Sequence, residues 1–135
     1  ALRIANVAGA DQLAAAAARG TPVALDRFTA PDGSVHGPLR SYIGPVTLAR
    51  CLDDLVGAAL AGRALPPVLN VAAPGAVDMA DLLRAARLPW HWQPAPPDAL
   101  DRALVDPARL LALSPIPPEA ASPARLVAEW QEAGQ

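Results

Sequence analysis

The sequence predicts an α/β domain in which short strands alternate with about four to five helices. Short apolar runs that end at Gly- or Pro-containing turns indicate the strands. Between them, apolar residues recur at the three-and-four spacing of amphipathic helices. The chain has 135 residues, the size of one domain, and can bury a core without disulfide bonds.

The first part of the chain reads as strand, helix, strand and loop. Residues 2–7 (LRIANV) are apolar and predict a buried strand. An alanine-rich helix follows, which Asp11 can cap and Gly20 can close in the left-handed conformation. A short strand is expected at residues 23–25. Residues 29–38 (TAPDGSVHGP) predict an exposed loop, because Gly, Pro, Asp and Ser dominate there.

A long amphipathic helix is predicted from Pro45 to the glycine at position 62. Its inward face is expected to carry Leu48, Leu52, Leu55, Val56, Ala59 and Leu60. Cys51 lies just beside this stripe, which favours packing over a nucleophilic role. Arg40 and the chain's only tyrosine, Tyr42, precede the helix.

The second half repeats the strand, turn and helix order. Residues 68–71 predict a strand, and Asp78 is expected to cap a helix that runs through Ala86. Residues 89–97 (PWHWQPAPP) predict an edge strand with its two tryptophans on one face and its histidine on the other. Ser122 starts the last helix. The inner side of that helix is predicted to carry Leu126, Val127 and Trp130.

Charge and composition exclude several functions. The formal charge is -2, and no basic face is clustered for phosphate binding, so nucleic acid is not an expected partner. All eleven basic residues are arginine, which excludes a Schiff-base lysine, a P-loop lysine and a Tyr/Lys proton-transfer pair. His36 and His91 lack neighbours at ligand spacing, so no metal site is predicted.

The same composition bears on location. No apolar run has membrane-spanning length, so no membrane association is expected. The lone cysteine cannot form an internal disulfide, and no secretory signal opens the chain. We therefore expect a cytoplasmic protein.

Four segments, in order and at suitable spacing, resemble one known family. Residues 2–10 (LRIANVAGA) are similar to its sixth Rossmann strand, in which Leu-Arg, two variable residues and Asn precede a Gly-containing turn. Residues 40–56 (RSYIGPVTLARCLDDLV) are similar to its Arg-x-Tyr-Ile segment and the helix that follows. Residues 67–83 (PVLNVAAPGAVDMADLL) resemble its short strand, Asn, turn and capped helix, and residues 105–110 (VDPARL) its late Asp-x-(Ser/Thr/Ala)-(Lys/Arg) element.

The family is the NAD-dependent epimerase/dehydratase family of extended short-chain dehydrogenases/reductases. The resemblance is to its carboxyl-terminal half. It implies the substrate-side part of a Rossmann-type fold, with one Rossmann strand at about residues 2–7 and the cofactor-binding amino-terminal half absent. The implied parent protein is an NAD- or NADP-dependent epimerase, dehydratase or reductase that acts on a small molecule, such as a sugar or nucleotide sugar.

The resemblance also assigns two substrate-binding residues, Asn6 and Arg40. In nucleotide-sugar members of the family, an arginine at the position of Arg40 reaches the substrate's diphosphate. The alternative roles are structural: Arg40 pairs with a carboxylate such as Asp53 or Asp54 or merely covers the loop, and Asn6 is a turn residue that satisfies its own backbone. The family's second diphosphate-binding arginine has no counterpart in residues 93–101, which weighs against a nucleotide sugar.

Two family motifs are missing. The Gly-rich turn that holds the pyrophosphate is not present. Tyr42 is followed by IGPV, so the catalytic Tyr-x-x-x-Lys pattern is not formed. We therefore expect the isolated chain to have no catalytic residues, to be inactive and to bind no cofactor.

The remaining expectations concern self-association, an alternative function and two structural residues. With no second half to cover it, the strand at residues 2–7 should make the chain self-associate. The alternative function is a stand-alone module that binds a ligand or a protein in the old substrate cleft. Asn70 and Asp106 are expected to be structural, as a strand-end hydrogen bonder and a helix cap.

Overall fold

A computed structural model describes residues 1–134. Its strands are β1 (Leu2–Ile4), β2 (Asn6–Val7), β3 (Val23–Thr29), β4 (Val35–His36), β5 (Leu39–Arg40), β6 (Tyr42–Ile43), β7 (Leu69–Val71), β8 (Val77–Asp78), β9 (Trp90–Pro94) and β10 (Arg102–Ala103). Its helices are α1 (Gln12–Ala18), α2 (Pro45–Leu60), α3 (Met79–Ala85), α4 (Ala108–Leu111) and α5 (Pro123–Ala133), with a 3₁₀ turn at Pro118–Ala121. The predicted class, short strands with four to five helices, is confirmed.

The opening strand is divided in two, where a single strand over residues 2–7 was predicted. β1 pairs in parallel with β7, and β2 pairs in parallel with β6. The change of partner occurs at Ala5, whose N–H donates to the carbonyl of Val71. Leu2 and Ile4 are 43% and 48% exposed, so the uncovered apolar surface predicted for this strand in the chain by itself is confirmed.

Around β3, the structure has more strand than the sequence indicated. β3 extends to Thr29 and pairs antiparallel with β4, so the predicted loop at residues 29–38 is in part a hairpin. Its turn is built on Asp32, whose carboxylate accepts bonds from the N–H and hydroxyl of Ser34. The predicted edge strand is confirmed as β9, parallel to β3.

The predicted helix starts and their caps are confirmed, because caps depend on local sequence. Asp11, Asp78 and Ser122 accept hydrogen bonds from the first-turn N–H groups of α1, α3 and α5. Gly20 and Gly62 follow α1 and α2 at φ of 66° and 73°, in the left-handed region that glycine tolerates.

The predicted inner face of α2 is largely wrong. The buried side chains are Thr47, Cys51, Leu55 and Ala58. Leu52, Val56 and Leu60 are instead 37%, 56% and 84% exposed. Long-range polar contacts orient the helix: Glu129 of α5 binds Thr47, and Ser114 binds Asp54. Apolar spacing alone could not indicate these contacts.

Two apolar clusters form the core, one on each side of β6. Tyr42 belongs to a cluster with Leu13, Leu83 and Leu126, whereas Ile43 belongs to a cluster with the buried face of α2. Adjacent residues of a strand point to opposite faces, so β6 links the two clusters. In the described part of the chain, no helix combines the length and the apolar character that a membrane crossing requires.

Candidate functional site

A cavity of about 610 Å³ lies between α1, β3 and the β5–β6 segment. Its floor is apolar, with Leu13, Leu25 and Met79. Its polar lining consists of Asn6, Asp11, Gln12, Asp26, Arg40, Tyr42 and Gln93. A largely apolar concavity with a few convergent polar groups is the usual form of a small-molecule site.

Asn6 and Arg40, the two residues predicted to bind substrate, both line this cavity. The parallel pairing of β2 with β6 brings them together, because Asn6 lies opposite Tyr42, two residues after Arg40. The Asn6 side chain donates to the carbonyl of Ser41 at 3.4 Å, so it bonds to a neighbouring strand and not to its own turn. Their meeting in one cleft is confirmed, and their role in substrate binding stays a prediction.

Arg40 is held by backbone carbonyl groups. Its Nη1 atom donates to Leu39 at 2.9 Å and to Asp101 at 3.3 Å, and its Nη2 atom donates to Leu100 at 2.9 Å. The alternative pairing of Arg40 with Asp53 or Asp54 is therefore wrong, whereas its bonds to Leu100 and Asp101 agree with the other alternative, that Arg40 covers a loop. Arg40 ties β5 to the segment before β10 and still borders the cavity.

Asp11 contributes both a helix cap and a cavity wall. Its Oδ1 atom accepts a bond from the N–H of Ala14 at 3.1 Å. Its Oδ2 atom is buried and has no hydrogen-bond partner among residues 1–134. A buried carboxylate oxygen without a donor is costly, and the neighbouring Tyr42 hydroxyl is the group of this chain that can supply one.

Tyr42 is 1% exposed, and its environment fixes its protonation state. Burial raises the pKa of the phenol above its ordinary value, and the Asp11 carboxylate raises it further, whereas Arg40 acts in the opposite direction. The hydroxyl is therefore protonated at neutral pH. Tyr42 can donate a hydrogen bond but cannot act as a base.

Asp26 and Gln93 close the other side of the cavity. They are register partners in the parallel pair of β3 and β9. Gln93 Nε2 donates to Asp26 Oδ1 at 2.7 Å. This amide holds the carboxylate at the cavity rim.

Sequence reasoning did not select Asp11, Asp26, Tyr42 or Gln93 as lining residues. Asp11 alone had a usable signal, since it starts a helix directly after a strand, where ligands bind in α/β folds. Asp26 and Gln93 meet only through strand pairing, which no local pattern indicates.

The remaining candidates have structural surroundings. Cys51 is fully buried, and Asn70 Nδ2 donates to the carbonyl of Asp106 at 2.9 Å, while Asp106 Oδ1 accepts a bond from Ala108. The structural role expected for Asn70 is confirmed, whereas the N-cap of α4 is Pro107 and Asp106 bonds the first N–H of that helix from the preceding position. Within residues 1–134, no group of three or more His, Cys, Asp or Glu side chains could hold a metal ion.

Comparison with known proteins gave matches among solved structures alone. No family model matches the chain, and no curated protein matches it. A UDP-glucose 4-epimerase from Brucella ovis, solved with NAD, superposes with a TM-score of 0.71 at 16% identity over 93% of this chain and 46% of its own. The Stenotrophomonas maltophila enzyme, solved with NAD and formylated UDP-arabinopyranose, gives 0.62 at 16% identity over 98% and 47%.

A third epimerase, from Thermus thermophilus and solved with NAD, gives a TM-score of 0.53 at 26% identity over 98% of this chain and 46% of its own. The chain thus spans about half the length of the structures that it matches. The fold is that of about half of these epimerase structures, as the sequence motifs predicted.

Proposed function

We propose that the chain is the substrate-side part of an NAD(P)-dependent sugar epimerase, dehydratase or reductase, and that its cavity holds the sugar. The meeting of Asn6 and Arg40 in one cavity carries this proposal. Those residues were assigned from family motifs, and the fold shared with UDP-sugar epimerases supports the assignment. We place the protein in the cytoplasm.

The residues of this chain do not fit a dinucleotide. A dinucleotide cradle needs glycines that leave backbone N–H groups open to the pyrophosphate at a strand-to-helix turn. The turn between β2 and α1 has one glycine, Gly9, and the Trp130 ring fills the space beside its Cα atom. Gly44 and Gly37 are likewise packed against Glu129 and Asp78 of the chain itself.

The proposal therefore assigns NAD or NADP to a part of the parent protein outside these residues, and no catalytic step to this chain. By itself the chain is proposed to be inactive, because it supplies neither the cradle nor a Tyr-x-x-x-Lys pair. Asn6 and Arg40 position the substrate. The protonated Tyr42 and the acceptors Asp11 and Asp26 supply the hydrogen-bonding groups that hydroxyl groups of a sugar need.

The alternative is a stand-alone module that binds a ligand or a protein. The cavity lined by Asn6, Arg40 and Tyr42 is where such a module would bind its ligand. The oligomeric state of the purified chain distinguishes the two functions.

Ligand-observed saturation-transfer NMR with glucose, glucosamine and UDP-glucose tests the proposed site. At least one probe is expected to bind, and Asn6→Ala should weaken its binding at least fivefold. Asn70→Ala is the matched control, since that amide also bonds a carbonyl group but lies outside the cavity. Failure of all three probes to bind, or equal effects of the two substitutions, would overturn the proposal.

A further inference from the structure

The cavity carries more negative than positive charge. Asp11 and Asp26 are its two carboxylates, and Arg40 is its single cationic side chain. The remaining polar lining groups are neutral amides and the protonated phenol of Tyr42. A diphosphate that entered would meet a lining with an excess of one negative charge, which opposes its binding in a partly desolvated site.

Arg40 cannot offset this charge fully. A guanidinium group has five N–H donors, and three hydrogen bonds to backbone carbonyls of Leu39, Leu100 and Asp101 already engage its Nη atoms. Arginines that bind phosphate groups well present paired, free donors. In this chain most of the N–H groups of the Arg40 guanidinium bind backbone carbonyls, two of them in the segment before β10.

The carboxylates, by contrast, offer acceptors to a ligand. Asp11 uses Oδ1 for the N–H of Ala14, and the Tyr42 hydroxyl is a neighbouring donor for its carboxylate. Asp26 uses Oδ1 for the Gln93 amide. An ionised carboxylate only accepts hydrogen bonds, so each residue favours a ligand that presents O–H or N–H donors.

We propose that the cavity takes an uncharged or cationic polyhydroxylated compound, an unphosphorylated sugar or amino sugar, and that Asp11 and Asp26 discriminate against a nucleotide sugar. This substrate class rests on the proposed function of the same cavity. It departs from the UDP-sugars named for the neighbouring structures, because the charge of this lining is opposite to what a diphosphate needs.

Competitive saturation-transfer NMR with glucosamine and UDP-glucose tests the inference. Wild type should bind glucosamine at least tenfold more tightly than UDP-glucose. Asp11→Asn combined with Asp26→Asn should reduce this ratio to below threefold, because asparagine keeps the helix cap and removes the charge. Asp53→Asn, an exposed aspartate of α2 outside the cavity, should leave the ratio unchanged.

The outcomes of this experiment distinguish failure of the inference from failure of the proposed function. Tighter binding of UDP-glucose than of glucosamine by wild type would overturn the inference and still support a sugar site. An unchanged ratio in the folded double variant, or in both folded single variants, would overturn the assignment to Asp11 and Asp26. Binding of neither compound, nor of glucose, would overturn the proposed function and the inference with it.

Discussion

Tyr42 determines how stability should respond to alkaline pH. Its pKa is raised in the folded chain, so its stabilising contribution is present below the unfolded value of 10.0 and is lost as pH rises beyond that value. The chain has no lysine, arginine titrates above about pH 12, and Tyr42 is the only tyrosine. The free energy of unfolding should fall with a slope of about 0.7 kcal/mol per pH unit at pH 10, which approaches about 1.4 kcal/mol per pH unit above about pH 11.

Urea unfolding at stepped pH values measures this slope. Tyr42→Phe, which has no ionisable group, should show a much flatter profile over the same range. A wild-type profile as flat as that of Tyr42→Phe would contradict the raised pKa.

Glu129 is the second residue with a specific prediction. It is 1% exposed, and its carboxylate accepts bonds from the backbone N–H of Thr47 at 2.8 Å and from the Thr47 hydroxyl at 2.7 Å. It thereby caps α2 from another helix, since Gly44 at the N-cap has no side chain to do so. Glu129→Ala should destabilise the chain by about 2–3 kcal/mol through the lost cap and the stranded donors.

Thermal and urea unfolding of the variant give this value. Glu132→Ala, an exposed residue on the same helix, is the control and should change stability by less than about 0.5 kcal/mol. Equal effects of the two substitutions would show that the cap contributes nothing.

At the scale of elements, the two glycines of the α2 region should respond to alanine with opposite signs. A Cβ atom at Gly44 would collide with the Glu129 carboxylate, whereas a Cβ at Gly57 meets nothing within 4 Å. Gly44→Ala should destabilise by about 1–3 kcal/mol, and Gly57→Ala should stabilise by about 0.5–1 kcal/mol because it raises helix propensity.

The double variant Gly44→Ala with Glu129→Ala adds a check on mechanism. It should cost less than the sum of its parts, because both substitutions disrupt one cap. Additive costs, or stabilisation by Gly44→Ala, would contradict the arrangement at the start of α2.

The elements differ in how far sequence could predict them. The caps Asp11, Asp78 and Ser122 were predictable, because each acts within its own helix. The orientation of α2 was not, because Glu129 binds Thr47 from 82 positions away. The residues that line the cavity show the same difference. Family motifs predicted Asn6 and Arg40, whereas Asp26 and Gln93 meet at the cavity only because β3 pairs with β9.

At the scale of the whole molecule, the outer edge of β1 should drive self-association. Leu2 and Ile4 are exposed, and β1 pairs with β7 alone among the described strands. α2 adds a second exposed stripe, Leu52 and Val56, on the side of the helix away from Arg50 and Asp54. An unpaired edge beside apolar surface favours pairing with another chain.

Sedimentation velocity over a range of concentrations measures this association. Wild type should form dimers or larger species, and Ile4→Glu should shift them to monomer. Leu100→Glu, at a position that is 65% exposed and precedes β10, a strand of a different sheet from β1, should leave association unchanged. A wild-type monomer with β1 ordered would instead favour the stand-alone module.

We propose that this chain is a substrate-side part whose own cavity binds a sugar and whose residues bind no dinucleotide. Backbone-amide NMR of the isotope-labelled chain, titrated first with glucosamine and then with NAD and NADP, tests both halves of that claim. Glucosamine should shift the amide signals of Asn6, Asp11 and Arg40 and leave that of Asn70 in place, while neither dinucleotide should give saturable shifts below millimolar concentration. Micromolar binding of NAD or NADP, or glucosamine shifts confined to residues outside the cavity, would contradict the claim.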